Sequence, residues 1–224
     1  MTEKLKDKTE ECAAVANVRF AAGEDPAKRE QILDGAQRVF LREGFDAASM
    51  NDVTREAGVS KGTIYVYFSN KEDLFAALIE RQKGRFTTVL RDVLHDSKTV
   101  EEGLTRFAHA FVHQIVGTDM ILAMRTVLGV IDRMPGVCRG FLTSSPINAR
   151  TVLIDFIKLH VEEGNLSVDD PDMAARQFID ISTATYFKMK LFNELPKAPT
   201  QKETNYVVEC AVKVFMKAYG KEHA

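Results

Sequence analysis

Between Phe45 and Phe75 the chain reads "FDAASMNDVTREAGVSKGTIYVYFSNKEDLF", and three residues suited to capping a helix, Ser49, Ser60 and Asn70, recur within it about every ten positions. Such side chains accept hydrogen bonds from the free amides of a helix's first turn. Ser49 and Asp52 have capping-box spacing, and Gly58 stands where a helix ending at Ala57 would be closed. The stretch therefore has room only for short helices and tight turns. It predicts one helix to Ala57, a second over Lys61 to Phe68 and a third opening after Asn70. Upstream, Ile32, Leu33, Ala36, Val39 and Phe40 recur at spacings of three and four, predicting a helix from Arg29 to Gly44. Leu33, Val39, Phe40, Phe45, Val53, Ala57, Ile64 and Phe68 would share one small core, which is the pattern of a helix-turn-helix unit.

The helical period continues to the end of the chain. Leu74 to Val93 predicts a long fourth helix, and Thr99 with Glu102 opens a fifth. A sixth runs from Asp119 to Arg133 and stops before Pro135. "PGVCRGFLTSSP" supports a short helix or turn, and a longer helix spans Pro146 to Glu163. Asp170 and Pro171 open the next, and Thr200 with Glu203 opens the last, which ends near Gly220. The expected fold class is all-α: an extension over 1–27, a helix-turn-helix DNA-binding domain over 28–72 and a C-terminal helical bundle over 73–224. "MAARQFIDISTATYFKMKLF" and "YVVECAVKVFMKAY" are apolar on more than one face. One face can pack on the chain's own bundle, and a homodimer through these last two helices would cover the other. Central helices in a monomeric bundle are the alternative.

Composition narrows the classes. With 30 Lys+Arg against 32 Asp+Glu, no global positive field draws the chain to nucleic acid or anionic lipid, so either partner needs a local patch. Residues 1–27 hold Lys4, Lys6, Lys8 and Arg19 against six acids and do not form a basic arm. Cys12, Cys138 and Cys210 are few and scattered, which fits a reducing cytosol rather than a disulfide framework. The charged N-terminus is not a secretory signal, and no uncharged apolar run reaches membrane-spanning length. The expected location is cytoplasmic, away from any membrane.

On the helix over Lys61 to Phe68, Ile64 and Phe68 would face the core, leaving Lys61, Thr63, Tyr65 and Tyr67 on or beside the exposed face. Gly62 would let a phosphate backbone approach closely, Lys71 adds a charge on the same side, and Thr63 and the tyrosines offer hydroxyls and apolar surface for base edges. The span "REQILDGAQRVFLREGFDAASMNDVTREAGVSKGTIYVYFSNKEDLFAALIE" resembles the DNA-binding domain of the TetR family of transcriptional regulators, in its "IL-x-x-A-x-x-x-F-x-x-x-G-F" opening, its "A-G-V-S-K-G-T-I-Y" turn and its "F-x-x-K-x-x-L" continuation. The resemblance implies that Ser60, Lys61, Gly62, Thr63, Tyr65 and Tyr67 lie in or beside the major groove of double-stranded DNA, with Lys71 clamping a phosphate and Ser49 also among the DNA-binding residues. Family members commonly carry tyrosine then histidine where this chain has Val66 and Tyr67. "RTVLGVIDRMPGVCRGFLTSSPINARTVLIDFIKLHVEEGNLSVDDPDMAARQF" is similar to the C-terminal domain of AefR-like members, implying a ligand-binding and dimerisation domain.

The function this implies is a ligand-responsive regulator, in the first instance a repressor, bound to a pseudo-palindromic operator as a homodimer and released by a small-molecule effector. Phe107, Phe111, Met120, Met124, Arg125, Phe141, Phe178 and Tyr186 are the candidate pocket residues, because their helices should enclose the bundle's interior. Arg125, amid "MILAMRTVL", must reach solvent, pair or meet an anionic ligand. His109 and His113 stand one turn apart, a spacing that can grip a metal, yet no third ligand or adjacent base accompanies them. No nucleotide loop, nucleophile elbow or carboxylate pair is present. The expectation is no enzyme, no cofactor and no metal. The competing reading is a helical small-molecule or lipid carrier with an incidental helix-turn-helix.

Overall fold

The computed structural model describes residues 21–135 and 148–221. Nine helices are found among the described residues: α1 (Pro26–Ala47), α2 (Met50–Ala57), α3 (Lys61–Tyr67), α4 (Lys71–His95), α5 (Val100–Gly117), α6 (Met120–Val130), α7 (Ala149–Glu162), α8 (Pro171–Leu191) and α9 (Gln201–Tyr219). The short helix or turn expected within "PGVCRGFLTSSP" lies outside the described residues, as do Cys12, Cys138 and Phe141.

The caps set the element boundaries. Ser49 and Asp52 form a reciprocal capping box at α2, as do Thr200 and Glu203 at α9. Asp170 accepts from the Met173 amide with Pro171 in the first turn of α8. Asp25 caps α1 by accepting from the amides of Ala27 and Lys28, which starts that helix three residues before Arg29. Its helical run is interrupted at Gly44, with φ 77°. α7 begins at Ala149 rather than Pro146, because Asn148 accepts from the amides of Arg150 and Thr151 and so fixes the start.

Two hydrophobic cores result. The first is built from α1, α2 and α3, where Ile32, Leu33, Val39, Val53, Ile64 and Phe68 are buried, with Phe40, Phe45 and Phe75 in mutual ring contact at centroid distances of 4.9–5.8 Å. The second joins α4, α5, α7, α8 and α9 through residues such as Leu90, Leu104, Phe107, Leu153, Phe178 and Phe215. α4 is common to both: Leu74, Phe75, Leu78 and Ile79 enter the first core, while Leu90 and Leu94 enter the second. The boundary expected at residue 72 thus falls within the first turn of a continuous helix.

α6 also reaches across. Val127 and Val130 are buried in the first core, contributing about 1.5–3 kcal/mol each by removal from water. Just beyond, Arg133 makes two hydrogen bonds of 2.7 Å to the Asp46 carboxylate at the end of α1. A third tie holds α1 to α4: the Arg81 guanidinium, with its side chain 6% exposed, donates to Glu30, Asp34 and Gln37. Arg85 pairs with Glu30 at 2.7 Å beside it. Among the described residues, no helix is long and apolar enough to cross a membrane.

α1 and α2 cross at close range, and the closest point is Gly35. A Cβ there would lie 2.7 Å from the Ala57 Cβ and 2.9 Å from its backbone. Gly35→Ala is expected to force the helices apart at a cost of about 1–3 kcal/mol, read as a lower urea midpoint for the purified chain. An unchanged midpoint would mean the crossing yields freely.

Candidate functional site

The turn between α2 and α3 is made by Gly58, whose φ of 63° is left-handed and whose amide donates to the carbonyls of Thr54 and Arg55. Gln31 of α1 donates its side-chain amide to the Ala57 carbonyl at 2.7 Å, closing the same helix end. Arg38 donates to Glu56 at 2.6 Å and Arg42 to the other carboxylate oxygen at 3.3 Å, fastening α2 to α1. The Arg38 guanidinium, with that of Arg42 second, holds the Glu56 carboxyl below the usual carboxylate range. α3 is thereby presented at a fixed angle.

On α3, Ile64 is fully buried and Phe68 nearly so. Lys61 and Gly62 are exposed, and Tyr65 and Val66 are 46% and 52% exposed. Thr63 is half-buried, and Tyr67 packs partly against the first core, which leaves Tyr65 the more available of the two tyrosines. Ser60 caps the helix, its hydroxyl accepting from the Thr63 amide at 3.0 Å and lying 2.8 Å from the Thr63 hydroxyl. Ser49 likewise spends its hydroxyl on α2, and its hydrogen bond is the foremost cause of a lowered Asp52 pKa. Gly62 is the informative position. A Cβ there would meet nothing closer than the Ser60 hydroxyl at 3.8 Å, so no contact within the chain requires glycine.

Lys71, the expected phosphate clamp, is held against the end of α1. Its ammonium donates to the carbonyls of Phe45, Asp46 and Ala48 at 2.7, 3.3 and 2.9 Å and sits 4.4 Å from the Phe45 ring centroid. An ammonium has three donors, and all three are committed to the end of α1. Proximity in sequence to α3 suggested the phosphate role; the long reach back to α1 could not be read from spacing.

Four of the expected pocket residues come together, but in a filled core rather than around a cavity. Phe107, Phe178 and Tyr186 are buried in the second core, and Phe111 packs against Phe86 and Phe107. Phe141 lies outside the described residues. Met124 is half-buried on α6. Arg125 donates to the carbonyls of Lys190 and Leu191 at 2.6 and 2.8 Å, so it pairs with the C-terminal end of α8, where a cation is favoured. A cavity of about 450 Å³ opens instead between α1, α4 and the corner of α5 and α6. Of the expected residues that are among the described ones, Met120 alone lines it. His109 is half-buried, and burial lowers its pKa; His113 is exposed. Among the described residues no three His, Cys, Asp or Glu side chains converge as a metal site.

Comparison with known proteins accords with this geometry. Residues 32–78 match the model for bacterial regulatory proteins of the tetR family, and residues 102–221 match that for the C-terminal domain of AefR-like transcriptional repressors. The HTH-type transcriptional regulator YhgD of Bacillus subtilis (strain 168) is 34% identical over 79% of this chain and 90% of its own length. The fatty acid metabolism regulator protein of the same organism is 34% identical over 34% of this chain and 40% of its own. With several further curated relatives the match spans only 26% to 47% of their length. A crystal structure assigned to TetR-family transcriptional regulators, from Mesorhizobium loti MAFF303099, superposes with a TM-score of 0.80 over 87% of this chain and 98% of that one, at 21% identity.

Lys71→Ala is expected to destabilise the chain by about 1–3 kcal/mol, since it strips three carbonyls of a charged donor. Chemical denaturation measures it. Unchanged stability with weakened DNA binding would restore the phosphate role.

Proposed function

Because the chain belongs to the TetR family of bacterial regulatory proteins, we propose that it is a cytoplasmic transcriptional repressor that binds a pseudo-palindromic operator as a homodimer and is released by a small-molecule effector. The observation that carries this reading is the exposed face of α3. A helix held by Ile64 and Phe68 offers Lys61, Gly62, Thr63 and Tyr65 outward, with a glycine that nothing inside the chain demands. That gap suits a phosphate backbone at close range, and the tyrosine and threonine suit base edges. Two copies of α3 would enter successive major grooves with half-site centres about 34–36 Å apart or slightly more.

The dimer reading rests on α8 and α9. Each buries one face in the second core and leaves another bare: Ile181, Met189 and Phe192 on α8, Tyr206 and Val214 on α9. Tyr206, Cys210 and Val214 recur at four-residue intervals, which makes one stripe, and Cys210 is exposed as well. A second copy would cover both stripes in a four-helix bundle. α6 then couples the two ends, tied to the α8 terminus by Arg125 and to the first core by Val127, Val130 and Arg133. An effector acts only if it prefers the spacing that DNA does not.

Selection of bound sites from random duplex DNA tests the reading directly. On the selected site, affinity is expected to fall steeply with salt, because phosphate contacts release counterions. Tyr65→Ala should weaken that binding by about 1–3 kcal/mol with the dimer still folded, and unchanged affinity would remove Tyr65 from the interface. Val214→Asp should shift the chain towards monomer in analytical ultracentrifugation and lower operator affinity with it. A variant that remains dimeric would place the interface elsewhere.

A further inference from the structure

The cavity of about 450 Å³ between α1, α4 and the α5–α6 corner falls in the size range of small-molecule sites, ~300–1,000 Å³. It is not part of the second core's interior. Its walls come from both structural units: Phe40 and Leu41 of α1 from the first, Phe86 and the α5 residue Gln114 from the second, with Leu78 and Ile79 on the shared helix. The lining is mainly apolar.

The polar groups along it are arranged and largely spent. Gln37 accepts at Oε1 from the Arg81 guanidinium at 3.0 Å and from Gln82 Nε2 at 2.6 Å, which fixes the orientation of both amides. What remains unspent on these two lining residues is the Gln37 NH2, a donor group, and the Gln82 carbonyl, an acceptor. The cations on the wall are matched: Lys83 lies 2.9 Å from Glu80, and Arg85 lies 2.7 Å from Glu30. Asp119 adds a negative charge to the lining. An anionic ligand would lose hydration there, meet no uncompensated cation and face Asp119, a cost that a neutral ligand escapes.

We infer that this junction is an effector site for a non-anionic, largely apolar small molecule bearing a hydrogen-bonding group for the Gln37–Gln82 pair. The inference rests on the regulator reading and gives the effector a position and a chemical class. Because the walls belong to both units, the shape of the cavity changes with their relative tilt. A ligand that fits one tilt favours it, and α6, with Met120 and Ala123 on the wall and Val127 and Val130 in the first core, moves with the change.

The probes are N-phenyl-1-naphthylamine, which is neutral, and its sulfonated counterpart 1-anilinonaphthalene-8-sulfonate, titrated by fluorescence into the full chain. The neutral dye is expected to bind saturably and about tenfold or more tighter than the anionic one, since the sulfonate must be desolvated. Ala123→Phe fills the cavity from α6, and Leu41→Trp fills it from the opposite wall. Each should abolish saturable binding, and the operator binding of each variant, with its salt slope retained, should no longer respond to the dye. In the parent chain the neutral dye should weaken operator binding, and operator should weaken dye binding by the same factor. Dye binding that survives in a folded filling variant, equal affinity for the two dyes, or saturable binding with no effect on operator affinity overturns the proposal. Saturable binding lost in both filling variants, in a chain that selects no DNA site, would sustain the pocket and overturn the regulator reading instead.

Discussion

Twenty-five residues of unbroken helix, α4, supply side chains to two separate cores, and the position of every other element follows from that sharing. Leu74 and Phe75 cannot shift without disturbing α1 and α3, nor Leu90 and Leu94 without disturbing α5. A close-packed interior resists such shifts sharply, so α4 transmits displacement rather than absorbing it. The buried Arg81 guanidinium reinforces this by locking α1 to the middle of α4. Three partners offset most of the desolvation cost, although Nε is a buried side-chain atom left without an acceptor.

α6 supplies the second mechanical link, and unlike forces hold it. Midway along it Arg125 meets the carbonyls that finish α8, an electrostatic contact with a helix terminus. Towards its C-terminal end, Val127 and Val130 are held by exclusion from water, with the Arg133–Asp46 pair outside them. The Arg133 guanidinium keeps the Asp46 carboxyl below its ordinary range. That pair is intact above the unfolded carboxylate's pKa and is given up as pH falls through the lowered value in the fold, after which the C-terminal part of α6 keeps its valines in the first core and loses its ion pair.

Much of this architecture was legible in the sequence because its signals are local. Ser49–Asp52, Thr200–Glu203 and Asp170–Pro171 are pairs within one helical turn, and the structure forms all three as caps. The buried face of α3 followed from the four-residue spacing of Ile64 and Phe68. The pocket was not legible in the same way. Phe107, Phe178 and Tyr186 carry the helical period of pocket residues and of core residues alike, and period alone does not separate a filled interior from an open one. The cavity exists because α1 meets the α5–α6 corner imperfectly, a property of packing between distant segments. Lys71 and Arg125 share the difficulty: each is satisfied by carbonyls at least 23 residues away.

The division on α3 between anchoring and presented residues has a consequence for descent. Ile64 and Phe68, with Tyr67 packed partly beside them, hold the helix down, so the exposed Lys61, Tyr65 and Val66 can drift with little penalty in folding. Lineages sharing this scaffold can therefore exchange one binding sequence for another through near-neutral steps, keeping the ligand-facing half of the protein while rewiring which genes it answers to.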